Sequence, residues 1–205
     1  MILKPKQNIS ATENENYLFP VFLKLHQLKV LIVGGGYVGM EKLSAILQNA
    51  PNTVITIVAT NISGDIKEIA TKYPAIKLLE KPYDASDIDD VDIVFAAVND
   101  TAISQLVSAD AKQKGKLINA ADKPNLCDFY LGSIVQKGNL KIAISTNGKS
   151  PTIAKRIKEF LQLALPDNVN DMLDNMQVIR NKIAGDFSEK VKQLNEITKV
   201  LLNDK

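Results

Sequence analysis

The feature that most constrains this chain is a β-branched run that ends in a cluster of glycines. Lys29–Val33 reads as a buried strand, and Gly34-Gly35-Gly36-Tyr37-Val38-Gly39 follows it without a gap. A helical pattern, Val38–Gln48, begins at once and stops near Pro51. The spacing Gly34-x-Gly36-x-x-Gly39 says little alone, but between a strand and a helix it is the turn of a dinucleotide-binding unit. Each glycine has its own reason. Gly34 allows the tight turn, Gly36 lets a pyrophosphate approach the backbone, and Gly39 lets helix and strand pack closely. The first amides of the helix, at the positive end of its dipole, suit phosphate groups. The bland alternative is a glycine turn with no ligand.

The rest of the chain keeps the same rhythm up to Asp122. Thr53–Val58, Ile76–Leu79, Asp92–Val98 and Lys116–Asn119 read as strands, while Gly64–Lys72 and Ala102–Gln113 read as helices. Continuous apolar strands alternating with helices predict a parallel sheet covered on both faces. The pattern then changes. Asp128–Val135, the turn Gln136-Lys137-Gly138-Asn139 and Leu140–Ser145 predict an antiparallel hairpin. Ser150-Pro151 opens a helix over Thr152–Leu163, Ser as cap and Pro in the first turn. Further helices are expected from Pro166-Asp167 to about Ala184 and over Ser188–Leu202. The fold class is therefore α/β: a Rossmann-type parallel sheet, a following hairpin and a small helical C-terminal unit.

Composition removes several function classes. Among 25 basic residues only Arg156 and Arg180 are arginines, and the net charge is +2. Guanine readers and bidentate phosphate clamps favour arginine, so no nucleic-acid partner is expected. The longest uncharged stretch, Leu43–Gly64, is broken by Gln48, Asn49, Pro51 and Asn52, so no membrane span is read. Residues 1–16 read as a loose polar tail without an apolar signal core, which points to the cytoplasm. Cys127 stands alone, which fits a reducing compartment, and one histidine with no His/Cys cluster predicts no metal site.

The crevice of such a sheet lies beyond the carboxyl ends of its strands. The expected ribose acid is missing after the second strand, where Ala59, Thr60 and Asn61 stand, so this position does not choose between NAD and NADP. Thr60 and Asn61 can meet a ribose through neutral hydrogen bonds or merely cap the following loop. Asn99 is a candidate cofactor contact, and Asp100 reads as the N-cap of the next helix. Asp122 is either a loop-turn residue or a carboxylate base at the mouth of the site. Ser145-Thr146-Asn147-Gly148-Lys149-Ser150-Pro151 is a candidate anion site or a capping turn. Tyr73 and Lys77 have a dehydrogenase-like spacing, but Pro74 breaks the helix that would carry them. Cys127 reads as a packed residue, His26 as a loop residue and the Lys137 turn as solvated.

Val30–Gly36, Asn119–Pro124 and Ile142–Pro151 together resemble the precorrin-2 dehydrogenase and ferrochelatase part of siroheme synthase, over about Leu18 to Leu163. The resemblance implies NAD-dependent conversion of precorrin-2 to sirohydrochlorin and, in members that chelate, insertion of Fe2+ as substrate. It implies that Asp122 is the catalytic carboxylate of both steps. It carries the cofactor contacts to Tyr37, Val38, Thr60, Asn61, Val98 and Asn99, and the absence of the ribose acid fits it. A hydroxyl residue that some members phosphorylate as serine corresponds to Thr146, with Ser145 beside it. Lys123, Ser145, Thr146, Lys149 and Ser150 are the candidate substrate contacts, since a lysine-rich mouth attracts a multi-anionic tetrapyrrole; Arg156 is a further one unless it serves the surface. The expected division is 17–122 for the NAD-binding domain, 123–150 for a dimerisation and substrate region, and 151–205 for the helices, with a homodimer implied by the family. Two rival readings are a non-catalytic nucleotide-sensing module and a metal chelatase without dehydrogenase activity.

Overall fold

The computed structural model describes residues 16–199. The polar tail, apart from Asn16, lies outside the described residues, as do the last three positions of the helix expected to reach Leu202. The chain parts into two compact units, one ending at Tyr130 and the other beginning at Leu131.

The first unit is a five-stranded parallel sheet. Its strands are β1 (Lys29–Val33), β2 (Val54–Ala59), β3 (Ile76–Glu80), β4 (Ile93–Ala96) and β5 (Leu117–Ala120), and their order across the sheet is β3-β2-β1-β4-β5. Three helices accompany them: α1 (Tyr37–Asn49), α2 (Gly64–Lys72) and α3 (Thr101–Gln113). The period-two alternation of each strand divides its side chains between two cores. Val30 and Ile32 of β1 join Ile55 and Ile57 of β2 and Phe95 of β4 on one face, where Leu43 and Ile46 of α1 and Ile66 of α2 cover them. Leu31 and Val33 join Val94 and Ala96 on the other face, under Val107 and Ala111 of α3 and under Ile88. Ile88 ends the short 3-10 turn Ala85–Ile88 in the crossover from β3 to β4. Both faces are thus apolar, which is why the strands read as unbroken hydrophobic runs.

Strand order reverses at β1, with β2 on one side and β4 on the other. That switch point opens the crevice of a doubly wound sheet. The edge strand β5 is covered by the chain that follows it. After Ala120 the backbone turns, passes through the 3-10 turn Pro124–Leu126 and comes back alongside, where Asp128 N–H donates to the Ile118 carbonyl at 2.8 Å and Ile118 N–H donates to Asp128 Oδ2 at 3.0 Å. The Phe129 ring then meets Phe95 edge-on, centroids 5.6 Å apart.

The second unit holds the hairpin β6 (Ser133–Lys137) and β7 (Leu140–Ile144) and the helices α4 (Pro151–Ala164), α5 (Val169–Lys182) and α6 (Phe187–Thr198). The hairpin begins later and turns more tightly than the sequence suggested. Lys137 pairs with Leu140, so Gly138 and Asn139 alone make the turn, with Gly138 in the left-handed region at φ 55°. Lys137 is not solvated: its Nζ donates to the Leu165 carbonyl and to Asp167 Oδ1, both at 2.6 Å, tying the hairpin to the α4–α5 connection. Ser150 caps α4 by accepting from Ile153 N–H at 3.2 Å, with Pro151 in the first turn, as the sequence predicted. The apolar segment from Tyr17 has no regular structure before the 3-10 turn Leu25–Gln27, and Phe19 and Phe22 stay exposed. No described helix is long and apolar enough to cross a membrane.

Leu43 is fully buried between α1 and the sheet. Leu43→Ala leaves a cavity there and is expected to cost about 2–5 kcal/mol. Urea unfolding followed by circular dichroism checks this, with the exposed Gln48→Ala staying within about 0.5 kcal/mol of wild type.

Candidate functional site

The turn between β1 and α1 is built by backbone contacts that no side chain could survive. A Cβ on Gly39 would stand 2.1 Å from the Gly34 carbonyl oxygen, so α1 rests directly on the end of β1. Gly34 has φ 124°, and its own Cβ would fall 2.2 Å from the Ala97 oxygen. Gly35, the residue between the two motif glycines, is equally constrained, because a Cβ there would meet the Asn61 oxygen at 2.5 Å. Its carbonyl accepts from Ser63 N–H at 2.9 Å, which fixes the loop after β2. Gly36 is different in kind. A Cβ there would have nothing within 4 Å, and no side chain caps α1, whereas α2, α3, α4 and α6 are each capped by Ser or Asp.

The carboxyl ends of β1, β2 and β4 open onto a cleft of about 440 Å³. Its floor is the glycine turn, and its walls are Val58–Asn61 after β2, Pro82 and Tyr83 after β3, and Ala97–Asp100 with Ile103 after β4. Gly34, Gly36, Tyr37, Val38, Thr60, Asn61, Val98 and Asn99 are gathered here, while Gly39 packs behind the turn. Gly36's open face and the uncapped helix end fit a pyrophosphate, and the flanking walls fit a nucleoside on either side.

The acids around the cleft are engaged. Asp100 accepts from the N–H groups of Ala102 and Ile103, at 2.7 and 3.1 Å, and so is the N-cap of α3 that the sequence predicted. Glu80, at the end of β3, accepts from Lys67 Nζ at 2.9 Å and from Ile62 N–H at 3.2 Å. The Lys67 ammonium, then the Ile62 amide, hold its carboxyl below the usual range. Tyr83 is half-buried, and its hydroxyl donates to Asp110 Oδ2 at 2.8 Å. Burial first, and the Asp110 carboxylate second, push its phenol well up. Pro82, Tyr83, Ile103 and Gly35 were not singled out from the sequence. Applying the carboxyl-end rule to β3 would have found the first two.

Asp122 and Lys123 do not line this cleft. They lie at the end of β5, where Ala121 N–H donates to the Ala96 carbonyl at 3.0 Å, so this loop leaves beside the end of β4. Asp122 is exposed, has φ 56°, and makes no hydrogen bond or ion pair with any described residue. Cys127 holds the base of the loop: its Sγ donates to the Ala120 carbonyl at 3.1 Å and accepts from Ala120 N–H at 3.2 Å. Asn119, buried, donates to the Phe129 carbonyl at 2.9 Å. The packed role read for Cys127 is the one observed, and burial raises its thiol pKa. Tyr73 caps the end of α2 while Lys77 stands in β3, so they form no pair on one helix.

Ser145, Thr146, Lys149 and Ser150 lie on the second unit. Here the hydroxyls close a turn. Ser145 Oγ accepts from Asn147 N–H at 3.2 Å, and Thr146 Oγ1 accepts from Ser150 N–H at 3.2 Å while donating to the Ser150 carbonyl at 3.1 Å. Asn147 and Gly148 take left-handed backbone, at φ 53° and 74°. Arg156 is exposed and pairs with Glu159 at 2.7 Å. Among the described residues no group of three or more His, Cys, Asp or Glu side chains could hold a metal ion.

Comparison with known proteins bears on this geometry. A family model described as "Putative NAD(P)-binding" matches residues 21–133, and one described as "Sirohaem biosynthesis protein central" matches residues 137–162. Over 174 residues the chain is 31% identical to the siroheme synthase of Methylococcus capsulatus and 36% identical to that of Psychrobacter sp. strain PRwf-1. Each alignment covers 85% of this chain and 34% of the relative, so the chain spans about a third of the length of these curated relatives. Among solved structures, SirC, a precorrin-2 dehydrogenase, superposes with a TM-score of 0.68 at 29% identity, over 88% of this chain and 89% of that one.

Because burial raises the Cys127 pKa, the folded protein holds less thiolate than the unfolded chain at any pH below that value. Iodoacetamide is therefore expected to alkylate native Cys127 more slowly than the urea-unfolded chain at mildly alkaline pH, as mass spectrometry of the labelled peptide would measure; an equal rate would contradict it.

Proposed function

The chain belongs to the NAD(P)-binding family, and we propose that it oxidises precorrin-2 to sirohydrochlorin with NAD. The observation that carries this reading is the glycine turn: an open face at Gly36 beneath an uncapped helix end, flanked by the β2 and β4 walls. The tetrapyrrole part draws on the relatives named siroheme synthase and on SirC, whose likeness extends over most of both chains.

Bound NAD supplies a nicotinamide ring that accepts hydride. This chain's residues do the rest. The amides at the start of α1, with Gly34, Gly36, Tyr37 and Val38, bind the pyrophosphate, Gly39 lets the helix come close enough, and Thr60, Asn61, Val98 and Asn99 orient the two nucleosides. Asp122 takes the proton. The oxidation removes two hydrogens from the macrocycle, one as hydride and one as a proton, and the electron pair left behind by the proton forms the new double bond. A carboxylate that no neighbouring donor engages is suited to that task. Lys123, Lys149 and the hydroxyls of Ser145 and Ser150 are proposed to meet substrate carboxylates, and Thr146, whose proton goes to the Ser150 carbonyl, is proposed to shape the turn that presents them. Ferrous iron is proposed as substrate of a second step, in which Asp122 takes protons from the pyrrole nitrogens. The exposed apolar stripe Ile153, Ile157 and Phe160 of α4 supports a homodimer, and the cytoplasm is the proposed compartment.

Incubation with precorrin-2 and NAD, followed by absorbance, is expected to show the macrocycle oxidised as NADH appears. A nucleotide sensor would bind NAD and leave the spectrum unchanged, which would refute the dehydrogenase reading. Asp122→Ala is expected to lower turnover by at least about a hundredfold while the Kd for NAD, measured by calorimetry, stays within about twofold. Gly36→Val is expected to do the reverse. Its side chain enters open space, so stability changes by no more than about 1 kcal/mol, yet NAD binding weakens at least about tenfold.

A further inference from the structure

The cleft has a wall that the dinucleotide motif does not account for. Pro82 and Tyr83 follow β3 and face the same space as Val98 and Ile103. The Tyr83 ring packs against the core beneath α3, and its hydroxyl is tied to Asp110 on that helix at 2.8 Å. It is therefore an aromatic wall of the cleft, held by a carboxylate that keeps the ring from swinging away.

Which half of a dinucleotide meets this wall follows from the topology. The ribose-reading position of such sheets is the end of β2, so the adenosine half lies on the β2 side of the switch point. β3 is the neighbour of β2, on the far side from β4. The end of β2 here carries Ala59, Thr60 and Asn61, with no carboxylate to grip the ribose, and Glu80 of β3 is already engaged by Lys67 and Ile62. Affinity for the adenosine half must come from another contact, and a purine stacks well on an aromatic face whatever its polar edges do.

We propose that Tyr83 is the stacking contact that binds the adenine base, and that Asp110 is a positioning residue that acts by holding the Tyr83 ring. This rests on the dinucleotide reading above. The test is calorimetric titration of the full chain with NAD, AMP and nicotinamide mononucleotide, for wild type, Tyr83→Ala, Tyr83→Phe, Asp110→Ala and the double variant. Tyr83→Ala is expected to weaken AMP and NAD at least about tenfold and to leave nicotinamide mononucleotide within about twofold. Tyr83→Phe and Asp110→Ala each lose the same anchor, so each is expected to weaken AMP about threefold, and the double variant no further than either. Should Tyr83→Ala not fold, that comparison of Tyr83→Phe, Asp110→Ala and the double variant still decides the matter. Unchanged AMP affinity in the variants, or equal weakening of nicotinamide mononucleotide, overturns the assignment. A wild-type protein that binds neither NAD nor AMP overturns the dinucleotide reading itself, and Tyr83's role with it.

Discussion

Everything in the first unit hangs on a contact between backbones. α1 sits on the end of β1 so closely that the Gly34 carbonyl occupies the space a Cβ of Gly39 would need. Two further close approaches lock the same knot: Gly34 against Ala97 at the end of β4, and Gly35 against Asn61 at the end of β2. The three strands that meet at the switch point are therefore joined at their carboxyl ends through main chain alone. Main-chain contacts cannot repack as side chains do, so the first turn of α1 has one position available to it. That position aims its free amides across the cleft. Precision at the anion site is thus a by-product of glycine packing, and only Gly36, with open space where its side chain would be, is left for a ligand.

The charge pattern around the cleft follows the same economy. A pyrophosphate brings negative charge, and unpaired acids nearby would repel it. Asp100 is turned back to cap α3, Glu80 is held by Lys67 and the Ile62 amide, and Asp110 accepts from Tyr83. Each of these three carboxylates is given a donor that discharges part of its field. Asp122, which makes no hydrogen bond with any described residue, does not line the cleft. It lies instead at the end of β5, in the loop that leaves beside the end of β4.

How much of this was legible depended on whether a feature was local. β1 and α2 follow the sequence to the residue, because a buried strand and a capped helix are set by period and punctuation. Asp100 and Ser150 declared themselves as caps for the same reason. What escaped was contact at a distance in sequence. Nothing near Gly35 reveals that Asn61 will press against it, and nothing near Tyr83 reveals Asp110 on α3. Lys137 looked solvated because its partners, the Leu165 carbonyl and Asp167, are supplied by a connection between helices. The hairpin's late start had a similar origin. Asp128 and Phe129, read as the start of the first hairpin strand, are taken up along the edge of β5 instead.

That return of the chain along β5 also explains why an acid can stand at position 122. The chain must reverse direction within a few residues after Ala120, and left-handed backbone does this most compactly. Asp is among the side chains that tolerate such a φ, so position 122 accepts a carboxylate where a β-branched residue would be strained. The conformation is kept in place by its surroundings. Cys127 clamps both the N–H and the carbonyl of Ala120, and Asp128 extends the ladder to Ile118. A strained residue persists only where neighbours over-determine it, and here the thiol and the returning strand do so without touching the carboxylate. The loop's scaffold and its acid are therefore separate parts: one fixes where the turn is, and the other stays exposed with no hydrogen bond to any described residue.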